Sequence, residues 1–137
     1  MTDPSSMWGN LPVNVEIRPP ISFLKEQASA LTKETKGLLQ GQVVVQSSGT
    51  PSLIASLDIV APALNGYRVR VVTITHALAF YPLSLKNELT NQQVAVSSES
   101  VFATVLRQFL SSTQVHNVVG ALIAQIKASE PSGSATS

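Results

Sequence analysis

The chain has 137 residues, of which 44% are hydrophobic, 12% are charged and 5% are aromatic, and its formal net charge is +1. This length is typical of a single domain with a substantial core. Nine Lys and Arg against eight Asp and Glu exclude a polybasic nucleic-acid binder, and the hydrophobic content excludes charge-driven disorder. The charged fraction is about half of the ~25% that is usual in globular domains, so the placement of the few charges matters.

Several kinds of site are excluded by what the sequence lacks. There is no cysteine, which excludes disulfides and thiolate metal sites. The two histidines are far apart without a carboxylate at ligand spacing, and phosphate-binding and nucleophile motifs are missing, so we expect no metal and no cofactor. The first ten residues do not resemble a secretory signal, and no window reaches the ~18–20 apolar residues of a spanning helix. A soluble, cytoplasmic protein with no membrane partner is predicted.

The N-terminal part predicts a strand followed by a helix. Apolar and polar residues alternate over 11–18, which is typical of a half-buried strand. Pro19 and Pro20 end that strand and suit the start of a helix. Apolar residues at helical spacing then predict a helix over 20–40, with Gly41 as its terminator.

The middle of the chain predicts an antiparallel hairpin. Residues 53–61 read as a strand whose odd-numbered residues share an apolar face. Asn65 and Gly66 are a strong signal for a two-residue type I′ turn, because both positions of that turn need positive φ. The apolar faces of the two flanking strands coincide when Ile59 lies opposite Val72.

Three further segments predict strands. Residues 43–45 are a short apolar run before the hairpin, and residues 94–96 indicate a brief strand after it. The segment 67–85 is ambiguous, because its alternation permits one very long strand. A turn at 76–78 followed by an edge strand from Tyr81 fits equally well.

The C-terminal part predicts two amphipathic helices. Ser98 suits the N-cap of the first helix, and Glu99 follows it at the helix end that favours negative charge. The segment 111–113 ends this helix and caps the next one, which has a sharp apolar stripe.

These elements predict one α+β domain with a mostly antiparallel sheet of four to five strands, one N-terminal helix and two C-terminal helices. Their predicted order is β-α-β-β-β-β-α-α. The domain covers residues 11–129, between an N-terminal arm over 1–10 and a flexible C-terminal tail over 130–137.

The predicted hairpin carries a candidate ligand site. Arg68 and Arg70 face the same way in a strand and could grip a carboxylate or phosphate, or their aliphatic stems could simply end the core face. In the predicted register they share that face with His76, and Tyr67 begins the same strand. Asp58 points to the opposite face, which disfavours a general-base role for His76.

Charge is concentrated on the first predicted helix and nearly absent from the last two. Residues 25–36 hold five of the seventeen charged residues, nine basic plus eight acidic, and residues 99–128 hold three. Phe23 lies off the apolar stripe of its helix, so either the N-terminal segment covers it or it belongs to an interface. The last helix has small or uncharged residues opposite its apolar stripe, which is typical of the centre of an interface: Asn117, Gly120, Ala121, Ala124 and Ala128.

The sequence therefore favours a non-catalytic interaction or assembly module that binds a second copy of itself or another protein. The alternative is a domain that binds a small molecule or anion in the cleft between sheet and helices. An enzyme with His76 as general base is the third hypothesis.

Overall fold

A five-stranded antiparallel sheet carries three helices on one of its faces in the computed structural model, which describes residues 7–11, 18–47 and 52–129. The elements in chain order are α1 (Pro20–Glu34), β1 (Gln40–Ser47), β2 (Leu53–Ala61), a short 3-10 turn (Pro62–Leu64), β3 (Tyr67–His76), β4 (Leu83–Asn87), β5 (Gln93–Val96), α2 (Glu99–Leu110) and α3 (Thr113–Ala128).

The strands neighbour one another in chain order, and each neighbouring pair is antiparallel. The predicted α+β class, with its antiparallel sheet and two C-terminal helices, is thereby confirmed. Residues 12–17 of the predicted first strand and the predicted tail over 130–137 lie outside the described residues. Segment 67–85 is two strands joined by a turn, and β4 is internal to the sheet because β5 pairs with it.

Helix α1 is shorter than predicted because the backbone turns left-handed soon after Glu34. Lys36 and Gly37 have φ values of 52° and 82°. The N–H of Gly37 donates to the carbonyl of Thr32 at 2.8 Å, and this bond closes the last turn as in a Schellman motif. Gly41 is therefore not the helix terminator that the sequence predicted.

The two C-terminal helices begin at the predicted caps. The hydroxyl of Ser98 accepts a hydrogen bond from the N–H of Val101 at 3.4 Å, and the hydroxyl of Ser112 accepts one from Val115 at 3.3 Å. Each cap satisfies an N–H that has no partner within its own helix. No helix of the described residues is long and apolar enough to cross a bilayer.

The register of the β2–β3 hairpin differs from the predicted one. Leu57, not Ile59, lies opposite Val72, and the pairing then skips Val71, so that Asp58 lies opposite Arg70. Val71 is thus an extra residue in β3, a β-bulge. Because one extra residue reverses the alternation of side chains, the part of β3 before the bulge presents its even-numbered residues to the face away from the helices.

The loop of this hairpin is also longer than predicted. Asn65 and Gly66 do adopt positive φ, at 61° and 73°, as their types suggested. They follow the 3-10 turn instead of forming a two-residue turn, so five residues connect Ala61 to Tyr67.

One core fills the space between the sheet and the helices. Its fully buried large side chains come from every layer and include Leu24, Ile74, Leu85 and Phe102. Helix α1 packs on β1 and β2, and α2 packs on β4 and β5. Helix α3 contacts α2 and the 3-10 turn, so a cleft remains above the middle of the sheet.

Candidate functional site

The face of the sheet away from the helices has a buried carboxylate between two arginines. Asp58 of β2 is fully buried. Nη1 of Arg68 donates to its Oδ2 at 2.8 Å, and Nε of Arg70 donates to its Oδ1 at 3.0 Å. Nη2 of Arg68 also donates to Oε1 of Gln42 on β1 at 2.6 Å, so the cluster joins three strands.

Asp58 neutralises one of the two positive charges of this cluster. The hydrogen bonds to Asp58 raise the pKa of Arg70 above its ordinary value, although partial burial opposes them. Asp58 therefore already accepts hydrogen bonds from both of the arginines that the sequence suggested for an external anion. The bulge at Val71 explains the difference, because it turns both arginines towards Asp58 and away from the core face.

The other two residues of the predicted ligand site lie elsewhere. His76 is the last residue of β3, buried on the core face between Leu53 and Leu83, and its Nδ1 lies 2.6 Å from the carbonyl of Ala77. Tyr67 lies at the first position of β3 and is exposed. The structure thus brings Arg68 and Arg70 together but leaves His76 and Tyr67 apart from them. The described residues also contain no group of three or more potential metal ligands.

The cleft between α1 and α3 is a cavity of the described structure with a volume of about 480 Å³. Its floor is the middle of the sheet, at Leu57, Ile59 and Val71. Apolar side chains from the three helices form its walls: Ala30, Leu31, Leu110, Val115 and Val119. The cleft exists because α1 and α2 cover opposite halves of the sheet and α3 closes only part of the gap.

Polar residues also line the cleft, around its apolar interior. Gln27 and Glu34 come from α1, Thr35 directly follows α1, and His116 and Gly120 come from α3. Gln27, Glu34 and His116 are exposed, and no hydrogen bond or ion pair joins their side chains to other described residues. An apolar cavity with a few unpaired polar groups is the usual composition of a small-molecule site.

Sequence reasoning missed most of this site. It placed the ligand in a sheet–helix cleft but assigned it to the arginines. Glu34 was not recognised either, because the predicted helix ran to residue 40, whereas Glu34 lies in the last turn of α1, where the helix dipole disfavours a negative charge.

The predicted interface residues divide into two groups. Asn117, Gly120, Ala121, Ala124 and Ala128 are all exposed on α3. Phe23 is instead part of the core, because α2 brings the ring of Phe102 to 5.3 Å from it, edge to face. The guanidinium of Arg18 lies 4.1 Å from the centre of the same ring, on the side facing solvent.

No protein-family model, curated protein or solved structure matches this chain. The geometry of the cleft is therefore the basis for assigning a function.

Proposed function

We propose that this protein is a non-catalytic binding module that takes the apolar part of a small molecule into the cleft between α1 and α3. The observation that supports it is the cleft itself, a cavity of about 480 Å³ with an apolar floor and walls and unpaired polar groups at its mouth. Ligand cavities of about 300–1,000 Å³ with such a lining are the common form of small-molecule sites.

The volume favours a small molecule over a helix from a partner protein. Two turns of an α-helix with side chains form a cylinder about 11 Å long and 10–12 Å wide, which occupies on the order of 1,000 Å³. That is about twice the volume of the cleft. A flexible alkyl chain or a ring system fits without moving α1 and α3 apart.

Gly120 offers a way to fill the cleft without disturbing the fold. It lines the cleft, and a Cβ added to it meets no atom within 4 Å. We expect Gly120→Leu to fold normally and to abolish ligand binding, because the new side chain enters the cleft mouth. The matched control is Ala121→Leu, which adds a similar volume at an exposed position next to Gly120 that does not line the cleft.

The test uses n-octanol as an uncharged probe, followed by two-dimensional NMR of the full chain. Burial of about five methylene groups at ~0.8 kcal/mol each gives about 4 kcal/mol, a Kd of about 1 mM. Saturable shifts should occur at Val71 and Val119, in wild type and Ala121→Leu but not in Gly120→Leu. Shifts confined to other regions, or binding that survives in Gly120→Leu, would contradict the proposal.

A second candidate function is self-association through the outer face of α3, by which we mean the face that carries Asn117, Gly120, Ala121, Ala124 and Ala128. The small, uncharged residues of that face are exposed, and Lys127 is the one Lys, Arg, Asp or Glu in the helix. Interfaces with this composition lose little charge hydration when two copies meet.

Sedimentation velocity over a concentration series tests this second function. We expect wild type to dimerise as its concentration rises and Ala124→Arg to stay monomeric, because the arginine puts a bulky charge at the centre of the face. Thr104→Arg, at an exposed position on α2, is the charge-matched control. A wild-type protein that stays monomeric at every concentration rejects self-association.

A further inference from the structure

Glu34 differs from the other acidic residues of the described chain, because no ion pair or hydrogen bond compensates its charge, although Lys33 and Lys36 lie beside it in the chain. It makes no ion pair or hydrogen bond with another described residue, and it lies in the last turn of α1, where the helix dipole disfavours a carboxylate. The other four described acids have a cation, a hydroxyl or a favourable helix end beside them: Glu26 with Arg18, Asp58 with two arginines, Glu88 with Lys86 and Thr73, and Glu99 in the first turn of α2.

This uncompensated carboxylate lies at the mouth of the cleft. Among the described residues that line the cleft, Glu34 is the only aspartate, glutamate, lysine or arginine. Thr35 is already engaged, since its hydroxyl donates to the carbonyl of Leu31 at 2.8 Å and accepts from the N–H of Leu39 at 3.1 Å. The N–H of Val115, in the first turn of α3, is likewise bonded to the Ser112 cap.

The mouth of the cleft therefore favours one kind of head group. A carboxylate at the mouth of an apolar cavity attracts cations and hydrogen-bond donors, and it repels anions. We infer that the ligand of the cleft is an amphiphile with an apolar body and an amine or similar cationic head group, which Glu34 binds. This inference rests on the proposed function, and it predicts that fatty acids and phosphate esters bind more weakly than amines.

Three probes with the same alkyl chain test the head group: n-octylamine, n-octanol and n-octanoate. Each is titrated into the full chain at low ionic strength and followed by NMR. We expect octylamine to bind about two- to five-fold more tightly than octanol, because an ion pair at a solvent-exposed site contributes little more than that. Octanoate should bind more weakly than octanol, and high salt should reduce both differences.

Two variants, each of which removes one negative charge, test whether Glu34 causes the preference for octylamine over octanol. Glu34→Gln should equalise the affinities for octylamine and octanol while leaving the octanol affinity unchanged. Glu26→Gln is the matched control, since Glu26 lies on the same helix, pairs with Arg18 and does not line this cleft, and it should leave the preference intact.

The outcomes separate this inference from the proposed function. If octanoate binds as tightly as octylamine, or if Glu34→Gln leaves the amine preference unchanged, the head-group inference is wrong and the cleft remains a binding site. If none of the three probes shifts the cleft resonances, the proposed function itself is wrong.

Discussion

Gly41→Ala is expected to lower the free energy of unfolding by about 3 kcal/mol, the largest effect we predict for adding a single methyl group. Helix α1 crosses β1 at Gly41, and a Cβ built there would lie 2.5 Å from the carbonyl oxygen of Ala28 and overlap its Cα. The obstructing atoms are backbone, so no side-chain rotation relieves the overlap. Overpacking a core costs about 1–3 kcal/mol, and a clash with backbone belongs at the upper end of that range.

The displacement of α1 would have a second cost. The N–H of Gly41 donates to Oγ1 of Thr32 at 3.0 Å, and this bond joins the strand to the helix. A helix that moves away from β1 to accommodate the methyl group lengthens this bond and exposes part of the core around Leu24 and Ala28. Urea denaturation followed by circular dichroism measures the loss, and the thermal midpoint should fall by roughly 10 °C for a chain of this size.

The same substitution at another glycine is the control. Gly120 is inside α3, and a Cβ added there meets nothing within 4 Å. Gly120→Ala should therefore raise stability by about 0.5–1 kcal/mol, because alanine loses less backbone entropy in a helix. If Gly41→Ala is as stable as the wild type, then α1 does not contact β1 at this point.

Local signals were enough to predict most elements of the fold. The serine caps of α2 and α3 and the strand β2 were each predicted from residues within a few positions of one another, and the structure confirms them. Predicting where α1 ends required a choice between two glycines, Gly37 and Gly41. Gly37 adopts positive φ and ends the helix, whereas Gly41 is required by a tertiary contact that no local pattern reveals.

Because of the bulge at Val71, the sequence pattern could not predict which face of the sheet carries Arg68 and Arg70. Alternation alone placed Arg68 and Arg70 with the core, and one unpaired residue reverses that assignment. Val71 and Val72 are both buried, so the hydrophobic pattern gave no sign of where the extra residue lies. The buried carboxylate of Asp58 was a missed clue, since a charge inside a strand needs a partner on a neighbouring strand.

The cleft could not be predicted from any single segment. Its volume depends on the distances between three helices that pack on different strands. Sequence patterns predict that the helices pack on the sheet, but they do not give the spacing between helices. The sequence did not reveal the unfavourable position of Glu34, because the predicted helix ran to residue 40. The structure places this residue in the last turn of α1, beside an apolar cavity.

Replacing both Arg68 and Arg70, on the face of the sheet away from the helices, is expected to lower the free energy of unfolding by about 3 kcal/mol. In Arg68→Met with Arg70→Met, the aliphatic stems still cover Asp58, but the fully buried carboxylate loses its donors from both arginines. Breaking a buried ion pair by removing the cation costs ~3–5 kcal/mol. We expect the lower end, because the arginine side chains are 43% and 40% exposed and water already screens them.

The single variants and a compensating change distinguish this mechanism from a simple loss of packing. Each single Arg→Met should cost less than half as much as the pair, because the remaining arginine still bonds to Asp58 and neighbouring substitutions are not additive. Adding Asp58→Asn to the double variant should restore much of the stability, since a neutral amide no longer leaves a charge buried without a cation. Arg18→Met breaks the exposed pair with Glu26 and should cost less than about 1 kcal/mol. If Asp58→Asn brings no recovery, the loss comes from the missing guanidinium contacts with the sheet and not from the unpaired carboxylate.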